Sequence, residues 1–287
     1  MKIGVNLPGH IPGTNGATLL EWARRADAGP FSSVGIIDRL VYQNWEPMIA
    51  LTAAAAVTTR VRLVTNVLIM TLRNAGLFAK EAATLDVLSN GRLTLGISVG
   101  AREPDFLGAP APFRARGKRF EEQLDMMKRI WAGESAAPGS GPVGPAPVQQ
   151  GGPELLIGAN QPAAIARVGK WANGFIVGPR KYEVIQQTYA LAQESWRKHG
   201  RPGKPRLVGA YYYSLGPDAD AAAERYQRDY WAFDPALVSR YLPDVLNTPQ
   251  RIKDMIRRME GLGMDEIVFM SCDRAPDQVY RLADVVA

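Results

Sequence analysis

The strongest constraint in this sequence is an alternation repeated along its length. Short apolar runs rich in β-branched residues alternate with longer stretches of helical periodicity. Lys2 to Leu7 (KIGVNL) reads as a strand. Asn15 to Ala28 reads as a helix, with Leu19, Leu20, Ala23 and Ala26 on one face. The pattern recurs as strands at 34–38, 61–70, 92–99, 154–158, 174–178, 206–215 and 266–271. Helical stretches lie at 45–58, 74–88, 116–132, 162–172, 182–199, 219–233, 248–261 and 275–286. Strand–helix alternation implies a parallel sheet. Eight such units in 287 residues imply a closed (β/α)8 TIM barrel with insertion segments, α/β in class. An open doubly wound sheet is the competing architecture, and no GxGxxG follows the first strand to support it.

Length alone suggests two domains, but α/β barrels of about 250 residues form one. The expectation is therefore a single domain over 1–287. Gly133 to Pro153, dense in Gly, Pro and Ala, reads as a surface loop within it. The stretch from about 216 to 248 is longer than one helix needs and reads as an insertion.

Residue counts narrow the chemistry. One cysteine, Cys272, excludes an internal disulfide, an all-Cys zinc site and a Cys-ligated iron–sulfur cluster. Two histidines, His10 and His199, exclude metal centres built on four or more His ligands. No metal site is expected. No nucleophile elbow, Walker loop, HExxH or CxxC is present. What remains is chemistry that needs few reactive side chains, as when a cofactor carries the reaction.

The net charge is +6, with bases concentrated at 114–129 and 197–206. Basic residues are not interleaved with aromatics, so nucleic acid is not an expected partner. The amino terminus lacks a signal-peptide shape. Apolar stretches such as Ala53–Val57 fall short of the roughly 20 residues of a membrane span. A cytoplasmic protein without membrane contact is expected.

A barrel of this kind places its site at the carboxyl ends of the strands. The clearest local device there is Gly158-Ala159-Asn160-Gln161-Pro162. A strand ends, a polar turn follows and Pro opens a helix, leaving N–H groups free to meet an anion. An ordinary capped turn would have the same composition. Asp38-Arg39 ends the second strand, as a cofactor-orienting pair or as a salt bridge. His10 follows the first strand and is a candidate proton donor. Tyr211, Tyr212 and Tyr213 must alternate faces, so at most two of them line a site.

The sequence resembles the luciferase-like monooxygenase family. The likeness runs through Glu46-Pro47, Asp38-Arg39, the stretch Ala82-Ala83-Thr84-Leu85-Asp86-Val87-Leu88-Ser89-Asn90-Gly91-Arg92, Leu95-Gly96-Ile97, Arg119 to Glu122 leading into Trp131, and Asn173-Gly174-Phe175. The resemblance implies a TIM barrel that binds reduced FMN, or the deazaflavin coenzyme F-420, at its carboxyl face. It implies an oxidoreductase, first a monooxygenase using reduced FMN on a small organic substrate, alternatively a deazaflavin-dependent dehydrogenase or reductase. It also implies a homodimer, and a separate flavin or deazaflavin reductase as partner. By the same resemblance Asp38, Asn66 and Val67 lie against the ring, with a non-proline cis peptide at Asn66-Val67. Gly158, Ala159, Asn160, Gln161 and Gly178 surround the phosphate. His10, Arg39 and Arg102 are the candidates to face the substrate.

Four positions depart from relatives. Bacterial luciferase α chains carry Cys-Arg where this chain has Ser98-Val99. Deazaflavin-dependent sugar-phosphate dehydrogenases carry His at the place of Arg39 and Glu at that of Ala101. Light emission is therefore not expected, nor the sugar-phosphate acid–base pair. The missing arginine leaves a further reading, a non-catalytic flavin-binding or partner subunit.

Overall fold

The computed structural model describes residues 1–287. In chain order the elements are β1 (Lys2–Asn6), α1 (Gly16–Ala28), β2 (Ser33–Ile36), α2 (Pro47–Ala55), β3 (Arg62–Ile69), α3 (Ala75–Leu88), β4 (Leu93–Ser98), α4 (Glu103–Gly108), α5 (Arg116–Trp131), β5 (Glu154–Gly158), α6 (Pro162–Ile165), α7 (Val168–Trp171), β6 (Gly174–Val177), α8 (Tyr182–Lys198), β7 (Arg206–Tyr213), α9 (Ala219–Tyr230), α10 (Pro235–Tyr241), α11 (Pro249–Gly261), β8 (Glu266–Ser271) and α12 (Asp277–Val286). The eight strands pair in sequence order and all in parallel, and β8 returns to β1. This is the closed (β/α)8 barrel read from the alternation. No helix is long and apolar enough to cross a membrane.

The main core lies between strands and helices, where Trp22, Phe31, Phe78, Phe120, Phe175 and Phe269 are fully enclosed. Inside the barrel, Leu156, Ile176, Val208 and Val268 pack around the axis with Val67. A third cluster sits above the mouth and includes Ile37, Tyr212, Tyr226, Tyr230 and Met270. It joins the barrel to the 216–248 segment, which folds as α9, α10 and a short 3-10 turn.

The Ala82 to Arg92 run that carries the resemblance proves to be a fastening. Asp86, fully buried, accepts from Gln149 N at 2.9 Å and Gln149 Nε2 at 2.6 Å, tying the 133–153 loop to α3. Asn90 and Gly91 adopt φ of 55° and 76°, and Gly91 N returns to Asp86 O, so a left-handed turn ends the helix. Arg92 then donates to the carbonyls of Thr58, Val61 and Ser89.

One expected helix breaks. Residues 162–172 form two single turns, α6 and α7. Ser195 Oγ on α8 donates to Ala166 O at 2.6 Å and accepts from Gly169 N at 3.0 Å. A tertiary hydroxyl thus occupies groups a continuous helix would have paired.

The floor of the barrel is polar and closed. Glu266, 1% exposed, accepts from Ser32 Oγ and Ser33 Oγ at 2.5 and 2.6 Å and pairs with Arg206. Arg206 bridges on to Glu154 at 2.5 Å, and Glu154 accepts from Thr94 at 2.8 Å. Removing Glu266 takes that partner from Arg206 and from both serine hydroxyls inside the floor. Glu266→Ala is expected to lower unfolding free energy by about 3–5 kcal/mol. Urea titration checks this, and a loss under about 1 kcal/mol would show that the floor does not hold the barrel shut.

Candidate functional site

At the opposite end a cavity of about 520 Å3 opens over the carboxyl ends of β2 to β8. Its volume suits a small-molecule site. Asp38, Asn66, Val67, Gly158, Ala159, Asn160, Gln161 and Gly178 all line it. Residues from four strands of the sequence therefore converge on one space.

Each is held by its own local geometry. Asp38 Oδ2 accepts from Ile69 N at 2.9 Å and from Arg73 Nη1 at 2.7 Å. Burial raises the Asp38 pKa above the usual carboxylate range, while Arg73 opposes the rise. Arg73 is itself anchored to Glu46 at 3.1 Å. The Asn66-Val67 peptide is cis. Pairing with β4 jumps there from Thr65↔Leu95 to Leu68↔Ile97. The amide groups of Asn66 and of Asn6 are buried without hydrogen-bond partners. Both amide oxygens crowd Gly35, where an added Cβ would lie 2.3 Å from Asn6 Oδ1 and 3.2 Å from Asn66 Oδ1. Only glycine leaves both carboxamides room at the axis.

At the β5–α6 turn, Gln161 precedes the helix but its side chain makes no capping bond. The N–H groups of Asn160 and Gln161 donate to no protein oxygen. A single-turn helix contributes little dipole, so positive charge has to come from side chains. Arg116 and Arg180 provide it, both on the cavity wall and neither in an ion pair. Arg116 is fixed by Nε to Gly100 O at 3.1 Å, Nη1 to Phe113 O at 2.9 Å and stacking on Phe113 at 4.0 Å. Arg180 bonds the Tyr241 hydroxyl and Pro179 O. Asp38, already neutralised by Arg73, is the wall's single carboxylate. The site is electropositive and carries free donors, which fits a ligand with an anionic group and a polar ring. No group of three His, Cys, Asp or Glu is placed to hold a metal ion.

The three residues expected to face substrate stand elsewhere. His10, Arg39 and Arg102 are absent from the cavity wall. His10 is fully buried, 3.2 Å from Ser271 O through Nε2 and edge-on to Tyr226 at 5.3 Å. The Arg39 guanidinium, 7% exposed, lies 4.5, 4.6 and 4.8 Å from the rings of Tyr42, Tyr230 and Phe233 and donates to Tyr230 O. Arg102 covers Phe233 at 4.1 Å and pairs with Asp105 at 3.3 Å. The two arginines clamp the 216–248 segment onto the barrel. Desolvated contacts of this kind contribute about 2 kcal/mol each.

The segment so held supplies the wall residues that sequence position did not reveal, Tyr230, Trp231 and Tyr241. Tyr212 also lines the cavity, while Tyr211 and Tyr213 pack in the outer core. Arg116 lay within the base-rich run that marked 114–129, with nothing in its spacing to single it out.

Residues 1–245 match the model of the luciferase-like monooxygenase family. The chain belongs to this family. An uncharacterised protein of Mycobacterium tuberculosis is 32% identical over 170 residues, 57% of this chain and 60% of that protein. An F-420-dependent glucose-6-phosphate dehydrogenase of Beutenbergia cavernae is 34% identical over 181 residues, 55% of this chain and 51% of the enzyme. The chain thus spans about half to three fifths of these relatives. Among solved structures, an F-420-dependent secondary alcohol dehydrogenase superposes with a TM-score of 0.80 at 17% identity, covering 99% and 98% of the two chains. The oxygenating constituent of 3,6-diketocamphane monooxygenase from Pseudomonas putida, in complex with FMN, gives 0.76 at 15% identity over 100% and 96%. These likenesses establish the shared fold.

The buried histidine has a measurable consequence. Burial lowers the His10 pKa from 6.5 to about 4. Between those values the unfolded chain binds a proton that the folded one refuses, so stability falls as pH falls. The gap corresponds to about 3 kcal/mol. His10→Asn is expected to flatten stability between pH 6.5 and 4 relative to the parent, whatever its absolute stability. Parallel urea midpoints for both proteins across this range would rule the account out.

Proposed function

We propose that this protein is an oxidoreductase that binds a reduced flavin-type coenzyme at the barrel mouth and acts on a small organic substrate beside it. The carrying observation is the cavity wall. It joins free turn N–H groups and an unpaired Arg116 to a chamber of aromatic and apolar side chains, with no His, Cys or Glu. Such a wall binds and orients while offering little reactivity of its own, and the bound ring supplies the hydride or oxygen chemistry. Family membership supports this, since named relatives include an F-420-dependent dehydrogenase and the oxygenase component of a flavin-dependent trigonelline monooxygenase.

In this reading Asn160, Gln161 and Arg116 hold the phosphate. Gly158, Ala159 and Gly178 keep the approach clear. Asp38, Asn66 and Val67 back the ring. Tyr212, Tyr230, Trp231 and Tyr241 enclose the substrate. Burial raises the Tyr212 pKa far above its usual value and pushes that of Tyr230 up to about 12. Both hydroxyls therefore remain protonated and serve as donors. The one carboxylate on the wall, Asp38, is ion-paired with Arg73, which favours electron flow from coenzyme to substrate. Reduced FMN with oxygen makes the protein a monooxygenase served by a separate reductase. Reduced F-420 makes it a reductase. A lone free thiol, the buried Cys272, suits a cytoplasmic location.

The α2–α3 face supports the homodimer reading. An apolar groove of about 1180 Å3 runs there, outside the barrel, flanked by Ile49, Leu77 and Leu88. These residues are 71%, 58% and 64% exposed, and contiguous apolar surface of this kind marks association sites.

Two measurements test these readings. Arg116→Ala should weaken coenzyme binding about 10- to 100-fold, the range of a lost charged hydrogen bond, with the circular dichroism unchanged. Asn160→Asp should weaken it by setting negative charge at the phosphate. If the parent binds neither FMN nor F-420 below about millimolar, the protein is a non-catalytic partner instead. For the dimer, Leu77→Glu should sediment as a monomer where the parent sediments as a dimer. A parent that is monomeric at micromolar concentration removes the dimer reading.

A further inference from the structure

We infer that a basic cleft beside the barrel mouth receives the carboxylate-bearing tail of a deazaflavin coenzyme. The inference rests on the flavin-type reading above and selects between its two coenzymes. The cleft, about 260 Å3, lies between the start of α8 and α11 and shares Pro179 and Arg180 with the barrel-mouth cavity. One wall therefore serves both spaces.

Its charge is one-sided. Arg180, Lys181, Arg251 and Arg258 line it against Glu183 and Asp244. Arg258 pairs with Glu183 at 3.3 Å. Arg180, Lys181 and Arg251 form no ion pair. Arg251 is nevertheless fixed, by Asn247 Oδ1 at 2.9 Å and Pro243 O at 2.7 Å, so its charge is positioned but not neutralised. Gly178, on the cavity wall and next in sequence to the shared Pro179, has nothing within 4 Å of where its Cβ would be. Position 178 thus adds no side chain beside the wall the two spaces share.

The two coenzymes differ along this route. FMN ends at its phosphate, which the turn and Arg116 already accommodate. F-420 continues beyond its phosphate into a chain of glutamates, each adding a carboxylate. A set of unneutralised cations beside the mouth matches a ligand whose negative charge continues beyond its phosphate.

The test titrates the full chain with F-420 bearing several glutamates, with its tail-less phospholactyl form and with FMN, following fluorescence at two salt concentrations. Lys181→Glu and Arg251→Gln are run beside the parent. The tailed form is expected to bind at least tenfold tighter than the tail-less form at low salt. Salt should shrink that advantage, and Lys181→Glu should remove most of it while leaving tail-less affinity unchanged. Equal affinity for the two forms overturns the inference, as does an advantage that survives both substitutions. Binding of FMN without F-420 overturns it too but leaves the flavin-type reading standing. Binding of none of the three removes that reading itself. A Lys181→Glu effect confined to the KM of an anionic substrate would give the cleft to the substrate and overturn the tail assignment.

Discussion

Everything at the mouth of this molecule depends on the closure of eight parallel strands. Closure pairs every strand on both edges and leaves backbone polar groups free only at strand ends. One end is covered by the side chains of Glu266, Arg206 and Glu154. The other retains its donors, at Asn160 and Gln161 above all. Ligand capacity is thus concentrated on one face before any particular side chain is considered. The charges of the floor are held together there at the cost of desolvation.

The second dependence is on the clamp. A bare barrel mouth is too open to desolvate a ligand. Here α9 and α10 bring Tyr230, Trp231 and Tyr241 across it, and Arg39 and Arg102 hold that cover by their faces against its rings. An arginine at the end of the second strand therefore reaches the cavity only through the aromatic wall it packs against. Its guanidinium is enclosed by three rings, and Arg116 and Arg180 are the cations on the cavity wall.

The barrel was legible in the sequence because a strand buried on both faces leaves a local mark, a short apolar run. The strands follow from that mark, and the address rule for barrels points to their carboxyl ends, where the cavity lies. The residues that failed to reach the cavity, His10, Arg39 and Arg102, had the right address, but direction is set by what packs on them. His10 turns under Tyr226, and Arg39 turns into the rings of the insertion. The split of residues 162–172 has the same origin, since Ser195 is distant in sequence and close in space. Tyr212 shows the converse case. Alternation along one strand was enough to say that the three tyrosines could not share a face, and the middle one is on the wall.

Charge and the lack of a base together bear on the direction of the chemistry. Oxidising an alcohol requires a group to accept its proton, and a tyrosine held protonated by burial is poorly suited. Asp38, the one carboxylate on the wall, has Oδ2 engaged by Arg73 and the Ile69 N–H. On the reading proposed above, electrons delivered to a substrate would place negative charge on it, and Arg180, Tyr212 and Tyr230 line the cavity where that charge would form. On that reading the same cations would attract an anionic coenzyme and favour a substrate that gains charge over one that loses a proton. Two unpaired guanidiniums in an aromatic chamber are the single electrostatic feature on which both parts of the proposal rest.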